Sequence, residues 1–214
     1  NGFLLLTVLI FVSSCKKSFD TFPQNPNQPV SVPPYLLLRQ IENNIMVFPG
    51  DDEDKFGQYT LSTYTYYGTN EYWTGSANLD YNTLQNVIAM EREAAKTTAK
   101  PGDPTPYSAL AKFFKAYIFV NMSLKVGDLP MSDALKGLSL DKPKYDSQKQ
   151  IFLQSLQLLD EANTQLGQLI GAANTSLLGD FYFQEKISSP YDALTALKKW
   201  QRVVNAFKLR VLIH

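Results

Sequence analysis

Residues 107–126 read YSALAKFFKAYIFVNMSLKV, and this stretch decides the fold class. Leu110, Phe113, Phe114, Tyr117, Ile118 and Leu124 recur at helical spacing, the stripe of an amphipathic helix with one side on a core. Gly127 stops it and Pro130 follows, as expected just past a helix C-terminus. On the C-terminal side, Ser147 with Gln150 has the pattern of a capping box opening the next helix. There Phe152, Leu156, Leu159 and Leu166 point inward, and Gln154, Gln157 and Asp160 outward. A last helix starts at Ala193 and carries Leu194, Leu197, Trp200, Val204, Phe207 and Val211. On the N-terminal side, Leu79 to Lys96 is periodic at Leu84, Val87, Ile88, Glu91, Ala94 and Ala95, and stops before Lys100-Pro101-Gly102. The first helix runs from Tyr35 to Met46, with Pro34 in its first turn and Pro49-Gly50 beyond its end. Its Leu37, Leu38, Ile41 and Ile45 share a face. The two middle helices begin about 40 residues apart and suit an antiparallel pair of the tetratricopeptide type, without the strict consensus of that repeat. The expected fold is mainly α, built of TPR-like antiparallel helix pairs with a loop-rich face.

Composition narrows the function. Twenty Lys+Arg against 20 Asp+Glu in 214 residues leave zero net charge, which argues against a general nucleic-acid binder. A single Cys makes no internal disulfide and no CxxC zinc site, and the one His is the last residue. No GxSxG, HExxH, P-loop or GxGxxG pattern occurs, so the chain reads as a non-enzyme with no catalytic residues, no metal and no cofactor. Its 44% hydrophobic content is enough for a core.

The N-terminus reads as a targeting segment. Phe3 to Val12 is apolar apart from Thr7, too short for a bilayer span of about 20 residues and right for a signal-peptide h-region. Val12-Ser13-Ser14-Cys15 follows, and Cys15 is the only cysteine. An apolar run, two small residues and a Cys resemble a bacterial lipobox, with Cys15 acylated as the first mature residue. Residues 1–14 are therefore expected to be a truncated signal peptide. Residues 15–33 are expected to be a lipidated, Pro-rich tether, since Pro23, Pro26 and Pro29 recur every third residue. Residues 34–214 are expected to form the helical domain. The last helix reaches His214 with no stop signal, so the chain reads as a fragment.

Between the first two helices lies a different composition. The run Asp51-Asp52-Glu53-Asp54 echoes a calcium loop, but Phe56 and Thr63 occupy ligand positions, and a solvated turn is the simpler reading. From Phe56 to Tyr81 the chain holds Tyr59, Tyr64, Tyr66, Tyr67, Tyr72, Trp73 and Tyr81 among Thr, Asn, Ser and Gly. Aromatic faces beside amides and hydroxyls suit sugar rings; the plainer reading is that tyrosines cover the core with their hydroxyls at the rim. The candidate ligand-binding residues are Tyr64, Tyr66, Tyr67, Tyr72, Trp73 and Asn78. Residues 56–81 contain no Lys or Arg, which favours a neutral ligand over single-stranded nucleic acid.

Three pieces then resemble one family. Ala109 to Tyr117 runs into Val126-Gly127-Asp128-Leu129-Pro130-Met131-Ser132-Asp133-Ala134. Pro143-Lys144-Tyr145-Asp146-Ser147-Gln148 is followed by Leu158-Leu159-Asp160-Glu161-Ala162. Trp200 leads to Asn205-Ala206-Phe207-Lys208-Leu209-Arg210. In this order, with the lipobox, they resemble the N-terminal portion of the SusD/RagB family of nutrient-binding outer-membrane lipoproteins of Bacteroidetes. The resemblance implies a cell-surface lipoprotein, outward-facing on the outer membrane, that captures oligosaccharides for a SusC-like TonB-dependent transporter. It also implies that much of the binding platform lies in a C-terminal half beyond His214, leaving Trp73 and Asn78 as the best candidates here. Peptide cargo, or a TPR-like adaptor for other proteins, is the alternative. A membrane-surface helix at Leu197–Leu212 is a further one, with Lys198, Lys199, Arg202, Lys208 and Arg210 beside Trp200 and Phe207.

Overall fold

The computed structural model describes residues 31–47, 79–172, 176–183 and 193–214. Within them are the helices α1 (Pro34–Asn44), α2 (Tyr81–Ala95), α3 (Pro106–Val126), α4 (Gln148–Ala172) and α5 (Ala193–Ile213). A short 3₁₀ turn spans Gly137–Ser139. The described residues contain no strand, only an isolated antiparallel bridge between Leu129 and Asp146. The mainly helical expectation holds.

Local chemistry sets the helix ends. Asp80 caps α2 by accepting from Thr83 N (3.2 Å). Thr105 and Ser108 form a reciprocal capping box at α3, with Pro106 in its first turn. That box is written locally in Thr105-Pro106-Tyr107-Ser108. Gly127 closes α3 at φ 80°, its N–H donating to Ser123 O (2.8 Å). At α4, Ser147 N donates to Gln150 Oε1 (3.0 Å) and Gln150 N to Ser147 Oγ (3.4 Å), the expected box.

Consecutive helices pack antiparallel, as the cross-links show by running in opposite directions. From α3 to α4, Ser108 reaches Gln165, Lys112 reaches Glu161 (2.8 Å) and Ser123 O accepts from Gln148 Nε2 (2.8 Å). From α4 to α5, Asp160 pairs with Lys208 and Asn163 O accepts from Gln201 Nε2 (3.4 Å). From α2 to α3, Glu91 pairs with Lys115 and Tyr81 meets Phe119 edge-on at 6.3 Å.

Several expectations need correction. The α3 stripe is not one-sided. Ala111, Phe119, Val120 and Met122 are buried beside Leu110, Phe113, Phe114 and Ile118, while Leu124 is 39% exposed. The physical reason is position: α3 is the central helix, touching α1, α2, α4 and α5, so buried residues occur on several of its sides and only its last turn is exposed. On α4 the inward stripe is Ile151, Ser155, Leu159, Ala162, Leu166 and Leu169. Phe152 and Leu156 are only half-buried, and Gln154 is half-buried rather than exposed. Tyr117 and Leu194 are likewise half-buried. On α2, Ile88 is exposed, Ala95 is exposed, and Met90 takes the core place. Helix α1 ends at Asn44, before the expected Met46.

The core is aromatic at its centre. Phe114 is fully buried, with Phe113 at 5.2 Å and the Trp200 ring at 5.6 Å. Residues 176–183 tie α1 to α5 from outside. Phe181 N donates to Glu42 Oε2 (2.6 Å), and the Trp200 indole N–H donates to Asp180 Oδ2 (3.1 Å). Gly179 makes the close passage possible: at φ 81°, a Cβ there would stand 2.2 Å from Tyr35 O.

Candidate ligand-binding site

Tyr64, Tyr66, Tyr67, Tyr72, Trp73, Asn78, Cys15 and the acidic run at 51–54 lie outside the described residues. What the structure places is the pair of anchors that bracket the aromatic segment. The described chain ends at Val47 and resumes at Leu79. Asn44 Nδ2 donates to Thr83 Oγ1 (3.1 Å), which pins the end of α1 to the start of α2. The end of α1 and the start of α2 therefore lie together at one end of the helix stack.

Two clefts open at that end. One, of about 470 Å³, is lined by Val47, Asp80, Tyr117, Asn121, Lys125 and Arg210. The other, of about 490 Å³, is lined by Leu79, Tyr81, Asp128, Pro130, Leu135 and Tyr145 among others. Both volumes fall in the range of small-molecule sites, about 300–1,000 Å³.

The second cleft has a rigid floor. Leu129 and Asp146 exchange both backbone hydrogen bonds (3.2 and 3.1 Å). The Asp146 carboxylate also accepts from Met131 N (3.1 Å), Ser132 N (2.7 Å) and Ser132 Oγ (3.0 Å). Burial works to raise the Asp146 carboxyl, but the bonds from Ser132 and Met131 outweigh it and hold it below the usual carboxylate value. Asp146 is thus the peg that fixes the turn 127–135 to the entry of α4. The Tyr81 hydroxyl donates to Pro130 O (2.8 Å). Burial pushes the Tyr81 phenol up, and the neighbouring Tyr145 adds to this. Tyr145 itself is 72% exposed. Asp128 Oδ1 accepts from Gln148 N (2.9 Å), the first N–H of α4. The described residues contain no cluster of His, Cys, Asp and Glu fit for a metal ion.

In the sequence Tyr145 stands out only as part of a motif, and Tyr81 belongs to the aromatic stretch Phe56 to Tyr81. The available signal was Pro143-Lys144-Tyr145-Asp146, an aromatic held between a proline and a capped helix start.

Solved structures share this fold. An outer-membrane protein of Bacteroides vulgatus, described in connection with nutrient binding, matches with a TM-score of 0.62 and 27% identity over 85% of this chain. Two SusD homologues of Bacteroides fragilis match at TM-scores of 0.59 and 0.61, with 28% and 25% identity over 85% and 86% of this chain. The chain spans 36%, 35% and 36% of the lengths of these three structures. A comparison with curated proteins gives no match. The family model for SusD-like proteins, described as starch-binding and associating with the outer membrane, matches residues 26–214. The turn pegged by Asp146, the capped α4 and the aromatic α3–α5 core all lie within that match, and the chain belongs to the SusD-like family.

Proposed function

We propose that this chain is part of a non-catalytic nutrient-binding lipoprotein. Anchored through Cys15 and facing outward on the outer membrane, it captures oligosaccharides for import through a SusC-like TonB-dependent transporter. The observation that supports this most is the division of labour among aromatics. Those of α3 and α5 are spent on helix packing, while the segment around Trp73 is bracketed by anchors beside two clefts. The family description names starch, so a glucan is the first cargo to try. Among the described residues no helix is long and apolar enough to cross a membrane, and the reading needs none, because multiple acyl chains on a cysteine give stable anchoring.

Calorimetry on the full-length protein with maltoheptaose and other neutral oligosaccharides tests the reading. Solvent competes for every sugar hydroxyl, so dissociation constants of about 10 µM to 1 mM are expected. Trp73→Ala and Asn78→Ala should each weaken binding, and the recovered oligosaccharide should be intact. If both variants remain folded and bind as tightly as wild type, recognition lies elsewhere than in the aromatic segment.

A further inference from the structure

We propose that the cleft between Tyr81 and Tyr145 is a carbohydrate subsite in its own right, shaped for one neutral sugar ring of a longer chain. The proposal rests on the glycan-binding reading above and narrows it, because it selects sugar over peptide.

The first support is the balance of donors and acceptors in the walls. Pro130 and Pro143 line the cleft and carry no N–H. Leu129 N, also in the wall, is already spent on Asp146 O (3.2 Å). Tyr81 spends its hydroxyl proton on Pro130 O (2.8 Å). Asp128, exposed at the edge, has one carboxylate oxygen engaged by Gln148 N and is an acceptor only. Apart from the exposed Tyr145 hydroxyl, the walls therefore accept hydrogen bonds and donate few. A peptide strand needs donors and acceptors in alternation, and an anion is repelled by Asp128. A sugar presents several O–H donors around its edge and C–H groups on its face, which complements acceptors at the rim and a flat phenol beside them.

The second support is preorganisation. Tyr145 keeps 72% of its surface in water while its neighbour Asp146 is locked by five hydrogen bonds, two through the backbone and three through the carboxylate. The backbone beside Tyr145 is thus fixed, so binding costs only the freedom of the ring itself. The opposite wall is held in an uncommon conformation. Among the described residues Leu135 is the one non-glycine with left-handed backbone, at φ 59°. The volume, about 490 Å³, is within the range of small-ligand sites.

The test uses the full-length protein, calorimetry, and a panel of neutral oligosaccharides of three and seven units (maltose, xylose and mannose series). Tyr145→Ala should weaken heptasaccharide binding about tenfold, and Tyr145→Phe, which keeps the ring, should restore most of it. Trisaccharide binding should change less, since a short chain has no need to reach this subsite. Tyr145 is exposed, so the Ala variant should keep the wild-type melting temperature. If Tyr145→Ala binds the heptasaccharide like wild type while Trp73→Ala does not, the subsite is wrong and the glycan reading stands. If wild type binds no sugar of the panel but does bind peptides, both fall together.

Discussion

Phe114 is the residue on which most of the core converges. Its ring is fully buried on the central helix, and Phe113 and Trp200 pack against it at 5.2 and 5.6 Å. Truncation to Ala removes apolar area and leaves a cavity that rigid helices on several sides cannot close. Phe114→Ala is expected to cost about 3–5 kcal/mol, read as a drop in the urea midpoint with an unchanged slope. A loss under 1 kcal/mol would mean that the aromatic cluster is not the centre of the fold. Trp200 has a second attachment, its indole N–H on Asp180, so part of its burial serves to hold a segment rather than to fill space. Tyr145 is the opposite case, a large aromatic beside a fully engaged carboxylate, with its ring in water.

At the scale of elements, the segment 176–183 is clasped to α1 by acid chemistry. Glu42 has no solvent exposure, and its Oε2 accepts from Phe181 N (2.6 Å). Its Oε1 accepts from no donor, and Asp180, itself 1% exposed, interacts with the Glu42 carboxyl. Two ionised carboxylates would repel here, whereas a protonated Glu42 donates to Asp180. Burial, and then the Asp180 charge and hydrogen bond, push the Glu42 carboxyl up to about 8, against the Phe181 hydrogen bond and Arg39, which lower it. The raised value sets the sign. The folded state holds a proton that the unfolded chain releases near pH 4.5, so this contribution to stability is fully present below that pH. It declines as pH rises from about 4.5 to about 8, at up to about 1.4 kcal/mol per pH unit, and then levels off. Glu42→Gln keeps a donor toward Asp180 and does not titrate. Its denaturation midpoint should be flat across this window where the wild type falls; parallel curves for the two proteins would remove Glu42 as the cause.

For the whole molecule, the helices are scaffold and the ends carry the function proposed. Anchoring is separable from folding, because the expected lipid site lies before residue 26, where the family match begins. In a bacterial host, a fatty-acid probe should label the full-length protein, and Cys15→Ala should abolish the label and release the protein from the membrane fraction. Equal labelling of the variant would end the lipoprotein reading. The chain spans about a third of the length of the three solved structures it matches.

The helices, their caps and their order were readable in the chain itself, because helical period and capping are local properties that a few neighbouring residues settle. Ser147 with Gln150, Gly127, and the stripe from Leu197 to Val211 are such cases. The family, too, was written in short motifs whose order along the chain is visible without a structure. The rotation of α4 was not, since Phe152 and Ile151 serve equally well in a periodic pattern and only the packing partners choose between them. Nor was the clasp, although Glu42 stands four residues after Leu38 on the apolar side of α1. Its partner Phe181 lies 139 residues away. A buried acid is tolerable only if a distant chain segment brings it donors and a second carboxylate to share its proton, and that encounter exists only once the helices have packed.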